Sequence, residues 1–212
     1  MKTLEYILKK YNLPEKGTPI EIPNVGRIDI VRWIKELGFK RGVEIGVDHA
    51  EFSREICEYN NQVKLFGVDP YLKYDEYREY SGQEEMDGIY EWAKIVMKDH
   101  VAKGRYEFIR QKSEDAVKLF EDESLDFVYI DANHEADYPL RDIEMWAPKV
   151  RKGGMIMGHD YVRIKVLNFT IKDALEKYTK EHNINPWFVL GTYAVRSREI
   201  RDNSRSWLVI RE

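Results

Sequence analysis

Short apolar runs alternate with amphipathic segments along most of the chain, and this alternation predicts strands and helices in turn. Five runs have the continuity of strands buried in a sheet: residues 42–46, 64–68, 106–110, 125–131 and 154–158. Between them, apolar residues three or four apart predict helices over 50–59, 84–101, 113–120 and 140–150. Because parallel strands need crossover connections, the pattern predicts a mostly parallel, doubly wound sheet with helices on both faces.

The two ends of the chain depart from this alternation. Residues 1–40 predict a helical and extended preface that begins with a helix over Thr3–Tyr11. After a helix over 164–182, two apolar runs flank a polar stretch and predict a C-terminal antiparallel β-hairpin at one edge of the sheet. We therefore predict a Rossmann-like α/β fold with seven strands, as one globular domain over 41–212 behind the preface.

Composition and charge narrow the class of protein. The chain has 212 residues, of which 43% are hydrophobic and 34% charged, with a formal net charge of −4 and no block of Lys or Arg. These values predict a folded domain and argue against a general nucleic-acid surface. The single cysteine, Cys57, excludes an internal disulfide, and no apolar run reaches the roughly 20 residues of a membrane helix. We expect a cytoplasmic protein that does not bind membranes, and homo-oligomerisation stays open.

Residues that follow the first three strands are candidates for ligand binding, because ligands of open parallel sheets bind beyond the carboxyl ends of the strands. Gly46 permits a tight turn and close approach of a ligand, and the next helix offers free N–H groups to an anion. Asp69 stands where a carboxylate can accept hydrogen bonds from a ribose diol, and Ser113 follows the third strand. The alternatives are an ordinary tight loop for Gly46, a turn or helix N-cap for Asp69 and a helix cap for Ser113.

The fourth and fifth strands end in ionisable groups. Asp131 and His134 lie within LDFVYIDANHEADY, and His159 and Asp160 follow GGMIMG. Oxygen ligands suit Mg²⁺ and imidazole suits borderline ions, so Asp131, His159 and Asp160 predict a divalent-cation site. The alternative is that Asp160 caps the next helix and His159 packs beneath a ligand. With an ordinary pKa of about 6.5, His134 suits a general base, and a solvated or loop-anchoring histidine is the alternative.

An aromatic-rich segment separates the second and third strands. It carries Tyr74, Tyr77, Tyr80, Tyr90 and Trp92. Such a segment could close over a cofactor and a flat or sugar-like acceptor, or it could form an amphipathic helix pair packed on the sheet.

Several of these segments occur together in one known family. VEIGVDHAEFS resembles the cofactor loop of class I S-adenosylmethionine-dependent methyltransferases, VDPY their ribose-binding tip and RQKSEDA their adenine-side segment. LDFVYIDANHEADYPLRDIEMWAPKVRKGGMIMGHDY is similar to a small-molecule branch related to the catechol and macrocin O-methyltransferases. The resemblance covers residues 40–212. It implies S-adenosylmethionine as cofactor and a small-molecule hydroxyl as acceptor, with assistance from Mg²⁺ or another divalent cation.

The resemblance also implies roles for the residues at the first three strand ends. Glu44 and Gly46 would frame the methionine part of the cofactor, with Glu44 near its amino group. Ser53 could reach the methionine carboxylate. Asp69 would hold the ribose hydroxyls and Ser113 would lie beside the adenine.

At the reacting end, the resemblance implies that Asp131 positions the cofactor or binds a metal together with His159 and Asp160. His134 stands where the catechol type has a catalytic lysine. Two positions depart from the family pattern: Ala50 replaces a glycine of many relatives, and a histidine enters a metal set that is otherwise all oxygen. The second departure leaves a metal-free enzyme possible.

Two other classes of function compete with this prediction. A catalytically inert module would bind S-adenosylmethionine and tolerate the loss of His134 and Asp160. An NAD-type oxidoreductase would share the fold and Asp69, but the GxGxxG pattern of dinucleotide-binding loops is absent from the segment around Gly46.

Overall fold

An eight-stranded sheet lies at the centre of the computed structural model, which describes residues 2–73, 82–133, 137–162, 169–193 and 202–211. Along the chain the strands are β1 (Ile20–Ile22), β2 (Arg41–Ile45), β3 (Lys64–Val68), β4 (Tyr106–Ile109), β5 (Leu125–Ile130), β6 (Val150–Gly158), β7 (Phe188–Leu190) and β8 (Trp207–Ile210). The helices are α1 (Thr3–Tyr11), α2 (Arg27–Glu36), α3 (Glu51–Tyr59), α4 (Gln83–Ala102), α5 (Ser113–Ala116), α6 (Tyr138–Trp146) and α7 (Ile171–Glu181). Single 3-10 turns, Val117–Leu119 and Ala147–Lys149, follow α5 and α6.

The strand order is β1-β7-β8-β6-β5-β2-β3-β4. Strand β2 lies in the interior of the sheet and pairs in parallel with β3 and β5, so that Val43 lies between Phe66 and Val128. Among the described strands, β8 alone runs antiparallel to its neighbours, β6 and β7. The carboxyl ends of β2, β3, β4, β5 and β6 therefore meet at one edge of the sheet, as the strand–helix alternation predicts.

The sheet has eight strands where the sequence pattern predicts seven. The additional strand is β1, which pairs in parallel with β7 through Ile20 and Phe188. The predicted antiparallel pair of late strands is confirmed as β7 and β8. This pair does not form the edge of the sheet, because β8 lies between β6 and β7 and the edge strand is β1, which pairs with the outer side of β7. An unpaired outer edge on β7 would leave its N–H and C=O groups without partners, and β1 supplies them.

Helices cover both faces of the sheet because the side chains of each strand alternate between them. Along β5, Phe127 and Tyr129 pack with the residues of α1, α2, α3 and α4, whereas Val128 and Ile130 pack with α5, α6 and α7. The first face includes Ile7 of the N-terminal helix. Residues on both sides of the predicted boundary after residue 40 contribute to this sheet and core, and the boundary itself stays a prediction.

The helix predicted over 164–182 begins at Ile171 in the structure, and residues 163–168 lie outside the described residues. Its first turn is fixed by a capping box in which Thr170 and Asp173 exchange hydrogen bonds. Within the described part of the chain, no helix has the length and apolar character that crossing a membrane requires.

Candidate functional site

Gly46 directly follows β2 and lies between the carboxyl ends of the neighbouring strands β3 and β5. Its N–H donates to Val68 (2.9 Å), while the N–H of Asp131 donates to Ile45 (2.8 Å). With φ +82°, Gly46 adopts a left-handed conformation, and a Cβ at this position would lie 2.1 Å from the carbonyl oxygen of Asp131. Only glycine fits this turn, so the floor of the cleft above it stays open.

Two cavities meet above Gly46. The β6-side cavity, of about 410 Å³, has a lining that includes Arg27, Glu44, Phe52, Asp131, His159 and Asp160. The β4-side cavity has a lining that includes Val68, Leu72, Met86, Ser113, Tyr138 and Asp142. Both cavities share Gly46, Asp69, Met86 and Ala132. They therefore form one elongated cleft that crosses the ends of β2, β3 and β5.

Glu44 is a buried acid in the lining of the β6-side cavity. The hydroxyl of Ser53 donates to its carboxylate, and the hydroxyl of Tyr106 lies 3.0 Å from that of Ser53. Burial raises the pKa of Glu44 to about 8, although the Ser53 hydrogen bond and the positive charge of Arg27 act in the opposite direction. Glu44 thus holds a proton at neutral pH until a cation approaches it.

Ser53 is completely buried beneath Glu44. Its hydroxyl is turned toward Glu44 and Tyr106, and it supports the acid from below. Its predicted contact with a methionine carboxylate stays a prediction.

Asp69 joins the loops that follow β2 and β3. Its Oδ2 accepts hydrogen bonds from the N–H groups of Val47 (3.0 Å) and Asp48 (3.2 Å), and its Oδ1 accepts one from Tyr71 (2.8 Å). The Tyr71 bond is the turn contact that stood as the alternative for this residue. Burial raises the pKa of Asp69, while these hydrogen bonds oppose the change. Since a carboxylate oxygen accepts two hydrogen bonds, Oδ1 keeps capacity for a ligand hydroxyl.

Asp131, His159 and Asp160 converge at the ends of β5 and β6. One candidate ligand atom from each residue lies within 4.8 Å of the other two, and His159 Nδ1 is 3.2 Å from Asp160 Oδ1. Among the described residues, the buried Nε2 of His159 has no hydrogen-bond partner. Burial lowers the pKa of His159, but its hydrogen bond to Asp160 and the negative charge of Asp131 outweigh burial and raise it. The alternative role of Asp160, as the cap of the next helix, is not seen at α7, which is capped by Thr170.

Arg27 is a site residue that the sequence pattern does not reveal. It begins α2, in the N-terminal preface, and its Nη1 lies 3.9 Å from Asp131 Oδ2. Its guanidinium lies over the Phe52 ring, 5.4 Å from the centroid, and its backbone N–H donates to Asp202 (2.6 Å). Arg27 is therefore a fixed cation beside a cluster of acids. A lone arginine far from the strand ends carries no local signal of this contact.

Ser113 lies in the β4-side cavity, on the first turn of α5. Its hydroxyl donates to Asp142 Oδ1 (2.5 Å), and the indole N–H of Trp146 donates to Ser113 Oγ (2.8 Å). Burial raises the pKa of Asp142 to about 6, although the Ser113 hydrogen bond opposes the change. The hydroxyl is thus held by α6 and does not act as a helix cap. Asp142 is the second residue in the cleft that the sequence pattern does not reveal.

Some of the predicted residues lie outside the described part of the chain. These are His134 and three tyrosines of the aromatic segment, Tyr74, Tyr77 and Tyr80. Their predicted roles stay predictions.

The other two aromatic residues of that segment lie on α4. The Tyr90 ring packs 4.8 Å from that of Tyr71, and Trp92 is 53% exposed. Ala50 adopts a left-handed conformation (φ +61°), which is uncommon for a residue other than glycine.

Comparison with solved structures identifies the class of fold. TomG, an O-methyltransferase from Streptomyces achromogenes in complex with S-adenosylmethionine, superposes with a TM-score of 0.62 at 11% identity, covering 100% of this chain and 91% of that one. A Staphylococcus aureus protein named as a caffeoyl-CoA O-methyltransferase gives 0.59 at 14% identity, covering 86% and 82%. A Clostridium thermocellum protein named as an rRNA methylase gives 0.60 at 10% identity, covering 87% and 94%. The fold is that of the class I S-adenosylmethionine-dependent methyltransferases.

The family follows from the sequence itself. Residues 43–161, more than half of the chain, match the family described as "Methyltransferase domain". The chain belongs to this family, and the resemblance inferred from the sequence motifs is confirmed. Comparison with curated proteins gave no match.

Proposed function

We propose that this protein transfers the methyl group of S-adenosylmethionine to a hydroxyl oxygen of a small-molecule acceptor. The observation that carries the proposal is the single cleft above Gly46. Along its length lie Ser113, then Asp69, then Glu44, and the Asp131 cluster stands at its far end. This order matches a ligand that has a nucleobase, a ribose and an amino acid in line, with the acceptor beyond it.

Each part of the cofactor has a matching group in the cleft. The free lone pair of Asp69 Oδ1 suits a ribose hydroxyl. Glu44 suits the methionine ammonium, because an adjacent cation favours the ionised carboxylate over its buried neutral form. Helix α3 begins at Glu51 in the lining of the same cavity, and first-turn N–H groups favour a carboxylate. The predicted contact of Ser53 would come from this helix.

The residues at the far end fit a divalent cation. Asp131, His159 and Asp160 offer two carboxylates and an imidazole, and the unpartnered Nε2 of His159 is the kind of buried lone pair that a metal ion would occupy. These three residues would hold the ion. A bound divalent cation lowers the pKa of a hydroxyl that coordinates it.

The chain's task in methyl transfer is chiefly positioning. Bound S-adenosylmethionine supplies a methyl group on a sulfonium centre, which an acceptor oxygen displaces in line. The acids of the cleft hold the cofactor at fixed points, and Arg27 with Phe52 forms one wall beside the Asp131 cluster. We propose His134 as the base that takes the acceptor proton; it lies outside the described residues, and the proposal rests on its spacing from Asp131.

Tryptophan fluorescence tests cofactor binding directly, because the Trp146 indole is one hydrogen bond from Ser113 in the cleft. Titration with S-adenosylhomocysteine should change the emission, and titration with NAD⁺ should leave it unchanged. The opposite result would refute the proposal.

Radiolabelled S-adenosylmethionine then tests transfer to a panel of hydroxylated small molecules, with and without a chelator. Loss of transfer on chelation supports the metal assignment, whereas unchanged transfer contradicts it. Cofactor binding without transfer to any panel member or to RNA supports an inert binding module. Transfer to RNA alone refutes the small-molecule assignment.

A further inference from the structure

Two polar side chains of the β4-side cavity, Ser113 and Asp142, have a defined hydrogen-bond polarity. An indole nitrogen only donates, so Ser113 Oγ accepts from Trp146 (2.8 Å). A hydroxyl carries one hydrogen, and that of Ser113 is given to Asp142 Oδ1 at 2.5 Å. Toward a ligand, Ser113 can therefore offer only a lone pair, as a hydrogen-bond acceptor. Asp142, when ionised, is also an acceptor alone.

The fold fixes this arrangement. Asp142 and Trp146 stand four residues apart on α6 and so project from the same side of the helix. Both side chains are buried, and Trp146 also packs against Phe120, with 5.3 Å between the ring centroids. Ser113 opens α5 opposite them. Neither helix can rotate its group away from the other without breaking this packing.

At neutral pH the acid in this network is charged. Burial raises the pKa of Asp142 to about 6, which still leaves it mostly ionised at pH 7.5. The Ser113 hydrogen therefore stays on the bond to Asp142. A ligand edge in contact with these two residues has to present a donor.

We propose that Asp142, acting with Ser113, selects the 6-amino group of the cofactor's adenine and discriminates against purines that lack this donor. The proposal rests on the proposed function, since it takes the β4-side cavity as the adenine subsite. The same lining includes Val68, Leu72 and Met86, whose apolar side chains suit the face of a flat base. Adenine carries a two-hydrogen donor at position 6, whereas hypoxanthine carries an acceptor there.

The test compares three ligands by calorimetry at pH 7.5: S-adenosylhomocysteine, its deaminated 6-oxo analogue S-inosylhomocysteine, and the analogue with hydrogen at position 6. The wild-type protein should bind the 6-oxo analogue about 10- to 100-fold more weakly than the 6-amino ligand, because two acceptors would then face an acceptor. The 6-hydrogen analogue should also bind more weakly, since it offers no donor. Equal affinity for the three ligands would overturn the inference and leave the proposed function intact. Failure of S-adenosylhomocysteine to bind would overturn both.

Asp142→Asn distinguishes selection from simple support of the fold. Either orientation of the new amide adds a donor to the network, so the ratio of 6-amino to 6-oxo affinity should fall by at least about tenfold. General damage to the cavity would weaken the binding of both ligands equally and leave the ratio of their affinities unchanged. That result would contradict the role of Asp142.

Two further variants complete the test. Ser113→Ala removes one acceptor and should lower the same ratio, which keeps the inference testable if Asp142→Asn does not fold. Asp115→Asn makes the same chemical change on α5 at a residue that is paired with Lys118 on the surface (2.8 Å), and it should leave the ratio at its wild-type value. If Asp115→Asn lowers the ratio of 6-amino to 6-oxo affinity as much as Asp142→Asn does, the inference is also overturned.

Discussion

Glu44 gives a quantitative prediction, because binding of a ligand ammonium should drive a proton out of the protein. The carboxyl is buried, and burial raises its pKa to about 8. In the empty protein at pH 7, about nine-tenths of the molecules then carry a proton on Glu44. A cation in contact favours the ionised form, so the bound state holds this proton far less well.

The magnitude follows from linkage between binding and protonation. At pH 7, binding of S-adenosylhomocysteine should release about 0.9 proton from Glu44. Its affinity should rise by close to tenfold for each pH unit well below pH 8 and less steeply near it, which amounts to about 50-fold between pH 6 and pH 8. S-adenosylhomocysteine is the better probe because its sulfur is uncharged, so the ammonium is the one cation that it brings.

Calorimetry in buffers of different ionisation enthalpy measures the released proton directly. Asp69 and His159 also have raised pKa values in this cleft, so the wild-type value needs a matched control. Glu44→Gln retains the shape of the side chain and cannot ionise; it should bind more weakly and release about 0.9 proton fewer. Identical proton release by the two proteins would refute the assignment of Glu44 to the ammonium.

The same pKa sets a stability prediction for the ligand-free protein. Since the folded pKa is raised above the ordinary value of 4.5, the stability contributed by protonated Glu44 is fully present below that value and is lost as pH rises through about 8. Glu44→Gln has no such group to ionise. Between pH 4 and pH 9 the unfolding temperature of the wild type should therefore fall relative to that of Glu44→Gln. The same difference in unfolding temperature between the two proteins at pH 4 and at pH 9 would contradict this expectation.

Three substitutions test the rest of the cleft. Gly46→Ala should abolish S-adenosylhomocysteine binding, measured by fluorescence, because its Cβ would lie 2.1 Å from the carbonyl oxygen of Asp131; wild-type binding would show that the turn relaxes. His159→Ala and Asp160→Ala should weaken Mn²⁺ binding by at least about tenfold, read by paramagnetic resonance, while S-adenosylhomocysteine still binds; unaltered Mn²⁺ affinity would remove both from the metal site. His134→Ala should keep cofactor affinity and lower methyl transfer by about 100-fold, and full turnover would exclude it as the base.

The central strands were predictable because their signals are local. The bounds predicted for β3, Lys64–Val68, are those of the structure, since a continuous apolar run between polar segments specifies a buried strand without outside help. Strand β1 was not predicted. It has three residues, and it forms by pairing with β7, which lies near the other end of the chain. Its existence depends on an edge that the local sequence does not show.

The candidate site divides in the same way. Gly46, Asp69 and Asp131 follow strands, so topology alone brings them to one edge of the sheet. Arg27 and Asp142 reach the cleft from helices. A charged residue on an amphipathic helix predicts a solvated position, and only the packing of that helix reveals that it faces a cavity.

The contact between Arg27 and Asp202 has an evolutionary consequence. The N–H of Arg27 donates to Asp202 (2.6 Å), so a segment near the start of the chain is tied to one near its end beside the Asp131 cluster. Both residues lie outside residues 43–161, the stretch that matches the family. Glu44, Asp69 and Ser113 lie inside it. Drift in the two flanking segments could therefore reshape the far end of the cleft while the half that we propose for the cofactor, inside the matched stretch, stays unchanged.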